Sequence, residues 1–218
     1  MKLSETTLSV LKNFASINQG CAFKAGNVVK TMLADRTFMA TFKAEENFPV
    51  DFAIFDLSRL ISAINLVDTP ELEFTERLIT ISGNGIELRY AVCDPNAIVA
   101  ANYEKNIKID DPIVQFELPK ATLQSLLRAG QVLSAPNLTI ASKDGQSLTV
   151  KVHDVKNPNS DSYNAAAKSE ILTQAFEMRL DMQKLRLIPD TYLVKISEDG
   201  IMTMTGELVE YAMTGNFE

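Results

Sequence analysis

Apolar residues recur at helical spacing near the start of the chain. Between residues 5 and 17, Leu8, Val10, Leu11, Phe14, Ala15 and Ile17 fall within about half of a helical wheel at ~100° per residue. Ser4 stands where an N-cap is expected. After Gly20 the period shortens to that of strands, with runs at 21–23, 28–33, 37–42 and 50–55 broken by Gly26, Ala34-Asp35 and residues 45–49. A second helix is expected from Asp56, carried by Leu57, Leu60, Ile61 and Ile64. Strands resume at 71–74, 78–82 and 86–92, and Gly83-Asn84-Gly85 reads as a hairpin turn.

Residues 94–112 hold two prolines and little periodicity, which marks a connector. Beyond it the pattern restarts: a strand at 114–118, Pro119 opening a helix, an amphipathic segment at 121–133, and strands at 138–141 and 148–152 around the turn Lys143-Asp144-Gly145. Residues 157–168, rich in Asn, Ser and Ala, read as a mobile loop. A strand at 175–180 leads into a short helix from Asp181 that Pro189 ends, and strands at 192–196, 201–204 and 210–213 close the chain. Leu3, Thr7, Leu8 and Leu11 recur as Leu118, Thr122, Leu123 and Leu126, and Asp56-Leu57 with Leu60 recurs as Asp181-Met182 with Leu185. The kept order points to a duplicated unit, with domains expected at 1–93 and 113–218 around the connector 94–112.

The 218 residues, 46% of them hydrophobic, suffice for a substantial core, in one large domain or two of roughly 100 residues. Cys21 and Cys93 are too few for a disulfide framework and belong to no ligand cluster, so a reducing compartment is expected. The opening residues have no basic, then apolar, leader pattern, and no stretch approaches the roughly 18 apolar residues of a membrane span. A soluble cytoplasmic protein without membrane contact is the expectation, and the sequon Asn137-Leu138-Thr139 then carries no meaning.

Charge changes the picture more than composition does. The formal net charge of −7 argues against tight capture of nucleic acid by the whole surface. The four expected helices, 4–17, 56–65, 119–132 and 181–188, nevertheless hold Lys12, Arg59, Lys120, Arg128, Lys184 and Arg186 against only Glu5, Asp56 and Asp181, a net +3 that leaves −10 for the remainder. Asp56 and Asp181 stand at helix starts, where carboxylates cap free amides. In the third helix Lys120, Gln124, Arg128 and Gln131 share one face without an acid. Single cations on a polar helix face are ordinarily solvated surface; the asymmetry over all four helices suits sequence-blind phosphate contact, made useful if several subunits surround one duplex.

Chemistry is hard to place on this chain. His153 is the lone histidine, so a Cys-His dyad would need Cys21 or Cys93, and buried structural cysteines are the plainer reading. Gly83-Asn84-Gly85 lacks the spacing of a phosphate loop. Met178, Met182, Met202, Met204 and Met213 read as adaptable core. No catalytic residue, cofactor or metal is expected.

The opening Met1-Lys2-Leu3-Ser4, then Leu11-Lys12-Asn13-Phe14-Ala15, Ile17-Asn18 and Gly20, resembles the N-terminus of the sliding clamps of T4-like bacteriophages, the processivity factors of their DNA polymerases. The run Asp51-Phe52-Ala53-Ile54-Phe55-Asp56-Leu57 resembles that family's strand into its second helix, and Asp94-Pro95 with Val99-Ala100 its connector. Leu123-Gln124-Ser125-Leu126-Leu127-Arg128 is similar to its third helix. The resemblance runs the whole length in order, strongest in the first 60 residues and weakest from Asn157 onward.

It implies an α+β DNA-clamp fold of two similar domains, with sheets outside and helices lining the central hole of a head-to-tail homotrimer. Lys12, Arg128 and Arg186 match basic residues of the lining helices. Lys120 and Lys184 join them on the charge argument alone, while Arg59 stands where the family has a small neutral residue. The implied function is non-enzymatic: encircling double-stranded DNA to tether the replicative polymerase in viral DNA replication, with an ATP-dependent clamp loader and late transcription factors as further partners, in the cytoplasm of an infected bacterium. Two other readings stay open, a β-rich single-stranded nucleic-acid binder and a phage structural oligomer that ignores DNA. The absence of Trp disfavours the first.

Overall fold

The computed structural model describes residues 1–218 and divides into two compact units, Met1–Asn106 and Ile107–Glu218. Unit 1 runs α1 (Glu5–Ile17), β1 (Cys21–Phe23), β2 (Gly26–Met32), β3 (Phe38–Phe48), β4 (Phe52–Ile54), α2 (Leu57–Ile64), β5 (Glu71–Phe74), β6 (Leu78–Gly83) and β7 (Ile86–Ala91). Unit 2 runs β8 (Val114–Leu118), α3 (Lys120–Val132), β9 (Asn137–Ser142), β10 (Leu148–His153), β11 (Tyr163–Ala167) and β12 (Ser169–Leu172). It continues with β13 (Phe176–Asp181), β14 (Tyr192–Ile196), β15 (Ile201–Thr205), β16 (Val209–Thr214) and β17 (Asn216–Phe217).

In unit 1 the strands lie in the orders β3-β2-β1-β4 and β5-β6-β7, and in unit 2 in the orders β12-β8-β14-β15-β16 and β11-β10-β9-β13-β17. The ladders are antiparallel throughout, and alternation of buried and exposed residues, as in β3 and β14, aims one face of each sheet inward. Helices α1 and α2 cover unit 1 with Val10, Leu11, Phe14, Leu57, Leu60 and Ile64 buried beneath them. A cluster of Phe23, Phe48, Phe52 and Phe74 fills the space between the two sheets of that unit, with Phe23 and Phe52 stacked at 4.5 Å. In unit 2, Tyr192 and Tyr211 meet edge to face at 5.8 Å, both fully buried.

Turn chemistry follows the residues. Asn84 and Gly85 both have positive φ, 48° and 77°, between the paired Gly83 and Ile86, the two-residue hairpin that Asn-Gly favours. Ser4 accepts the Thr7 amide at 3.1 Å and Asp56 the Arg59 amide at 2.9 Å, so both expected caps form. Pro119 is the N-cap of α3 and offers no side-chain acceptor.

Two expectations are overturned. Residues 181–188 do not form a helix: Asp181 ends β13, a turn follows over 182–184, and the chain then runs without regular structure to Pro189. The Asp181 carboxylate accepts the Gln183 amide at 2.9 Å and its carbonyl the Lys184 amide at 3.0 Å, which closes the turn. Lys184-Leu185-Arg186-Leu187 then alternates outward and inward with period two, and burial of Leu185 and Leu187 outweighs one further helical turn. The segment 157–168 contains β11, whose small residues pair with β10 from Leu148↔Ala167 to Val152↔Tyr163. An Ala-rich strand gives no hydrophobic alternation to read, which is why it passes for a loop.

Candidate nucleic-acid interface

The helices expose few side chains that could meet an anion. On α1 the buried face is Thr7, Val10, Leu11, Phe14 and Ile17. The opposite face carries Glu5, Ser9, Lys12 and Ser16, all exposed and spaced by a whole number of turns. Lys12 is thus its one cation, with Glu5 two turns away. On α2, Leu57, Leu60, Ile61, Ala63 and Ile64 are buried, leaving Ser58, Arg59 and Ser62 outside. The carboxyl of Asp56 is held below the usual aspartate range, first by the Arg59 amide and then by the Gln19 side chain. It is spent as a cap.

Helix α3 is the cleanest surface. Leu123, Leu126 and Gly130 face the core, while Lys120, Gln124, Arg128 and Gln131 are all exposed on one side, with no acid in the helix. Both cations project from a rigid element packed on β10 and β11. Long flexible side chains of this kind can follow a phosphate backbone without fixing a sequence.

Lys184 and Arg186 come instead from the turn and irregular segment after β13, where Lys184 is half-buried and Arg186 exposed. That segment is tied to the C-terminal end of α3. The Met182 amide donates to the Pro136 carbonyl at 2.9 Å, and a Cβ on Gly130 would stand 2.3 Å from the Met182 Cε, so only glycine admits this approach unshifted. Four of the five expected DNA-facing residues, Lys120, Arg128, Lys184 and Arg186, therefore belong to unit 2, and Lys12 to unit 1.

Burial pushes the Cys21 thiol up to about 12, and Cys93 is raised chiefly by burial as well. His153 lies 2.9 Å from the Thr139 hydroxyl, and burial followed by the neighbouring Lys151 lowers its pKa. No group of three or more His, Cys, Asp or Glu side chains is arranged to hold a metal ion, and no helix is long and apolar enough to cross a membrane.

Two antiparallel sheets in each unit, with helices packed on their inner faces, define the DNA-clamp fold. The chain superposes with a TM-score of 0.71 on a proliferating-cell nuclear antigen of A. fulgidus, bound to the C-terminal region of FEN-1, at 13% identity and with 100% of this chain and 97% of that one covered. On a Helicobacter pylori beta clamp bound to a DNA ligase peptide the TM-score is 0.68 at 10% identity, covering 99% of this chain and 65% of that one.

By sequence the chain is similar to the sliding clamp of Vibrio phage KVP40, 28% identical over 214 residues that make up 97% of each chain. The sliding clamp of Enterobacteria phage T4 is 26% identical over 220 residues, 98% of this chain and 96% of its own. No protein-family model matches the chain. The resemblance read from the opening residues, the connector and the third helix is thus to the sliding clamps of T4-like phages, and it extends along almost the whole length.

Proposed function

We propose that the chain is one subunit of a closed ring that encircles double-stranded DNA and holds the replicative DNA polymerase on it. The observation that carries this reading is the acid-free outer face of α3, with Lys120 and Arg128 exposed on a protein whose net charge is −7. An acidic exterior repels a duplex, and a mildly basic lining tolerates it. Lys12, Lys184 and Arg186 complete that lining. Few cations per subunit give weak contact, so closure of the ring around the strand retains it, and weak contact permits sliding. The reading gives the chain no catalytic step.

The ring is a head-to-tail homotrimer built through two free strand edges. β7 ends the three-stranded sheet of unit 1 and β11 ends the five-stranded sheet of unit 2, and each is mostly exposed along its length. An open edge of five or six residues invites another strand. Beside β7 lies α2, with the Tyr90 hydroxyl donating to the Asp56 carbonyl at 3.0 Å, and beside β11 lies α3. Just past α2, Leu66 is 72% exposed, and at the end of α3 Val132 is 74% exposed, apolar surface that a neighbouring subunit would cover. Heterologous pairing of β7 with β11 of the next copy repeats around a ring until it closes.

An ATP-driven loader opens the ring, late transcription factors share its outer surface with the polymerase, and the setting is the cytoplasm of an infected bacterium. The test is retention on DNA. Loaded with its loader and ATP, the protein should stay on circular duplex and run off linear ends, and particles should show threefold symmetry with a passage wide enough for a duplex. Binding to single strands without a loader, or a particle with no passage, would remove the proposal.

A further inference from the structure

Tyr192 and Tyr211 are the bulkiest fully buried side chains, each 1% exposed, and a phenol hydroxyl sealed from water needs a partner. They rise from β14 and β16, the strands on either side of β15. Both hydroxyls converge on one residue. Tyr192 donates to the Ile188 carbonyl at 2.6 Å, Tyr211 accepts the Ile188 amide at 2.9 Å, and the two hydroxyls bond to each other. Ile188 lies outside any helix or strand, so the tyrosines supply its backbone with the two bonds that a ladder would give. Room for the ring is kept at Gly206, where a Cβ would stand 2.6 Å from Tyr192 Cε1.

Ile188 stands two residues past Arg186, in the irregular segment that also carries Lys184. Local bonds tie that segment only to itself: the Leu185 amide reaches the Met182 carbonyl at 3.3 Å and the Arg186 amide the Lys184 carbonyl at 2.9 Å. Its ends are fixed from outside. Met182 is bonded to Pro136, past the end of α3, and the Thr191 hydroxyl accepts the amide of Lys120, the first residue of α3, at 3.2 Å. The segment thus runs back alongside α3 from its end to its start, with Leu185 and Leu187 buried and Arg186 exposed.

We propose that Tyr192 and Tyr211 are positioning residues for the phosphate-facing surface. By gripping Ile188 they hold Arg186, and with it Lys184, beside Lys120 and Arg128 of α3, so that these four cations act as one set. The proposal rests on the DNA-lining reading above, and neither tyrosine meets the duplex. Burial of the two leucines decides which way the segment faces; the Ile188 bonds decide where along α3 it sits. Loss of either hydroxyl leaves a buried backbone group without its partner, and the segment loosens.

The test uses the full-length protein carrying Tyr192→Phe and Tyr211→Phe, singly and together, changes that keep both rings. Amides of Leu185, Arg186 and Ile188 should exchange with solvent about tenfold faster, while those of β9 and β10 keep their rates. Unchanged exchange would overturn the grip, whatever the protein does on DNA. Arg186→Gln should lower polymerase processivity about twofold in the parent at low salt. In the double phenylalanine background it should have no further effect, while Arg128→Gln keeps its own. An Arg186→Gln effect as large there as in the parent would overturn the positioning role alone. Silence of Arg186→Gln in the parent would take that residue out of the lining and the proposal with it, and silence of Arg128→Gln as well would sink the lining reading. If the double variant does not fold, Tyr192→Phe serves for the same comparison.

Discussion

The Thr7 hydroxyl donates to the Glu46 carboxylate at 2.6 Å, joining the first turn of α1 to the far end of β3. The other oxygen of Glu46 accepts the amide of Ser4, the N-cap of that helix. One carboxylate from a strand therefore completes the cap that Ser4 begins, at the end of the helix where the dipole favours negative charge. Burial alone would push the Glu46 carboxyl up; the bonds from Thr7 and Ser4 outweigh it and hold the group below its ordinary 4.5.

A depressed carboxyl pKa stabilises the fold above its unfolded value and ceases to do so as pH falls through the folded value. Glu46→Gln should cost about 1 kcal/mol at neutral pH, a figure set by the lost charge-assisted cap of a largely solvated group. The difference from the parent should shrink once the pH drops below about 4. Urea midpoints of both proteins at pH 7 and pH 3 check this, and an equal difference at both would show that the charge plays no part.

Lys120→Glu combined with Arg128→Glu should leave the unfolding midpoint within about 0.5 kcal/mol of the parent, since both side chains are exposed. Processivity of the polymerase should fall several-fold at low salt, and the difference from the parent should narrow as salt is raised. Normal processivity with correct loading would take α3 out of the lining.

Leu66→Glu with Val132→Glu replaces two exposed side chains and should likewise spare the fold of each unit. Subunit association should weaken by at least about tenfold, one charge in an apolar contact costing more than about 1.4 kcal/mol. Sedimentation over a concentration series measures it. A parent-like dissociation constant would place the interface elsewhere.

Gly83→Ala should be destabilising by about 1–3 kcal/mol. A Cβ there would stand 2.5 Å from the Asp68 carbonyl oxygen and 3.2 Å from that of Thr69, backbone atoms that cannot swing aside as a side-chain tip can. Thermal unfolding would register the loss, and an unchanged midpoint would mean that the 67–69 turn moves freely.

Much of the architecture is legible from residues because local signals and burial agree. The Asn84-Gly85 hairpin, the Ser4 and Asp56 caps and the strand at 192–196 need no knowledge of distant partners. The segment 181–188 misleads because Asp181, Leu185 and Pro189 imitate the punctuation of a short helix, while Leu185 and Leu187 answer to the core of unit 2. Strand β11 is invisible because alanine marks no face. Of the candidate interface, the stripe on α3 is readable as an i, i+4, i+8 pattern, and Lys184 with Arg186 could have been read from their alternation with leucine. Lys30 has no local signal at all. Its strand neighbours look ordinary, and the acceptors that justify its burial stand more than seventy residues further on.

The bonds from Lys30 to residues 103–106, and from Lys195 to Ile109, bear on how such genes can recombine. A crossover between codons 107 and 108 hands each parent's fastening on intact, because Lys30 travels with its own 103–106 acceptors and Lys195 with its own Ile109. A breakpoint a few codons to either side separates a lysine from the carbonyls it evolved beside. Mosaic descendants should therefore carry their seams at this point more often than chance would set them.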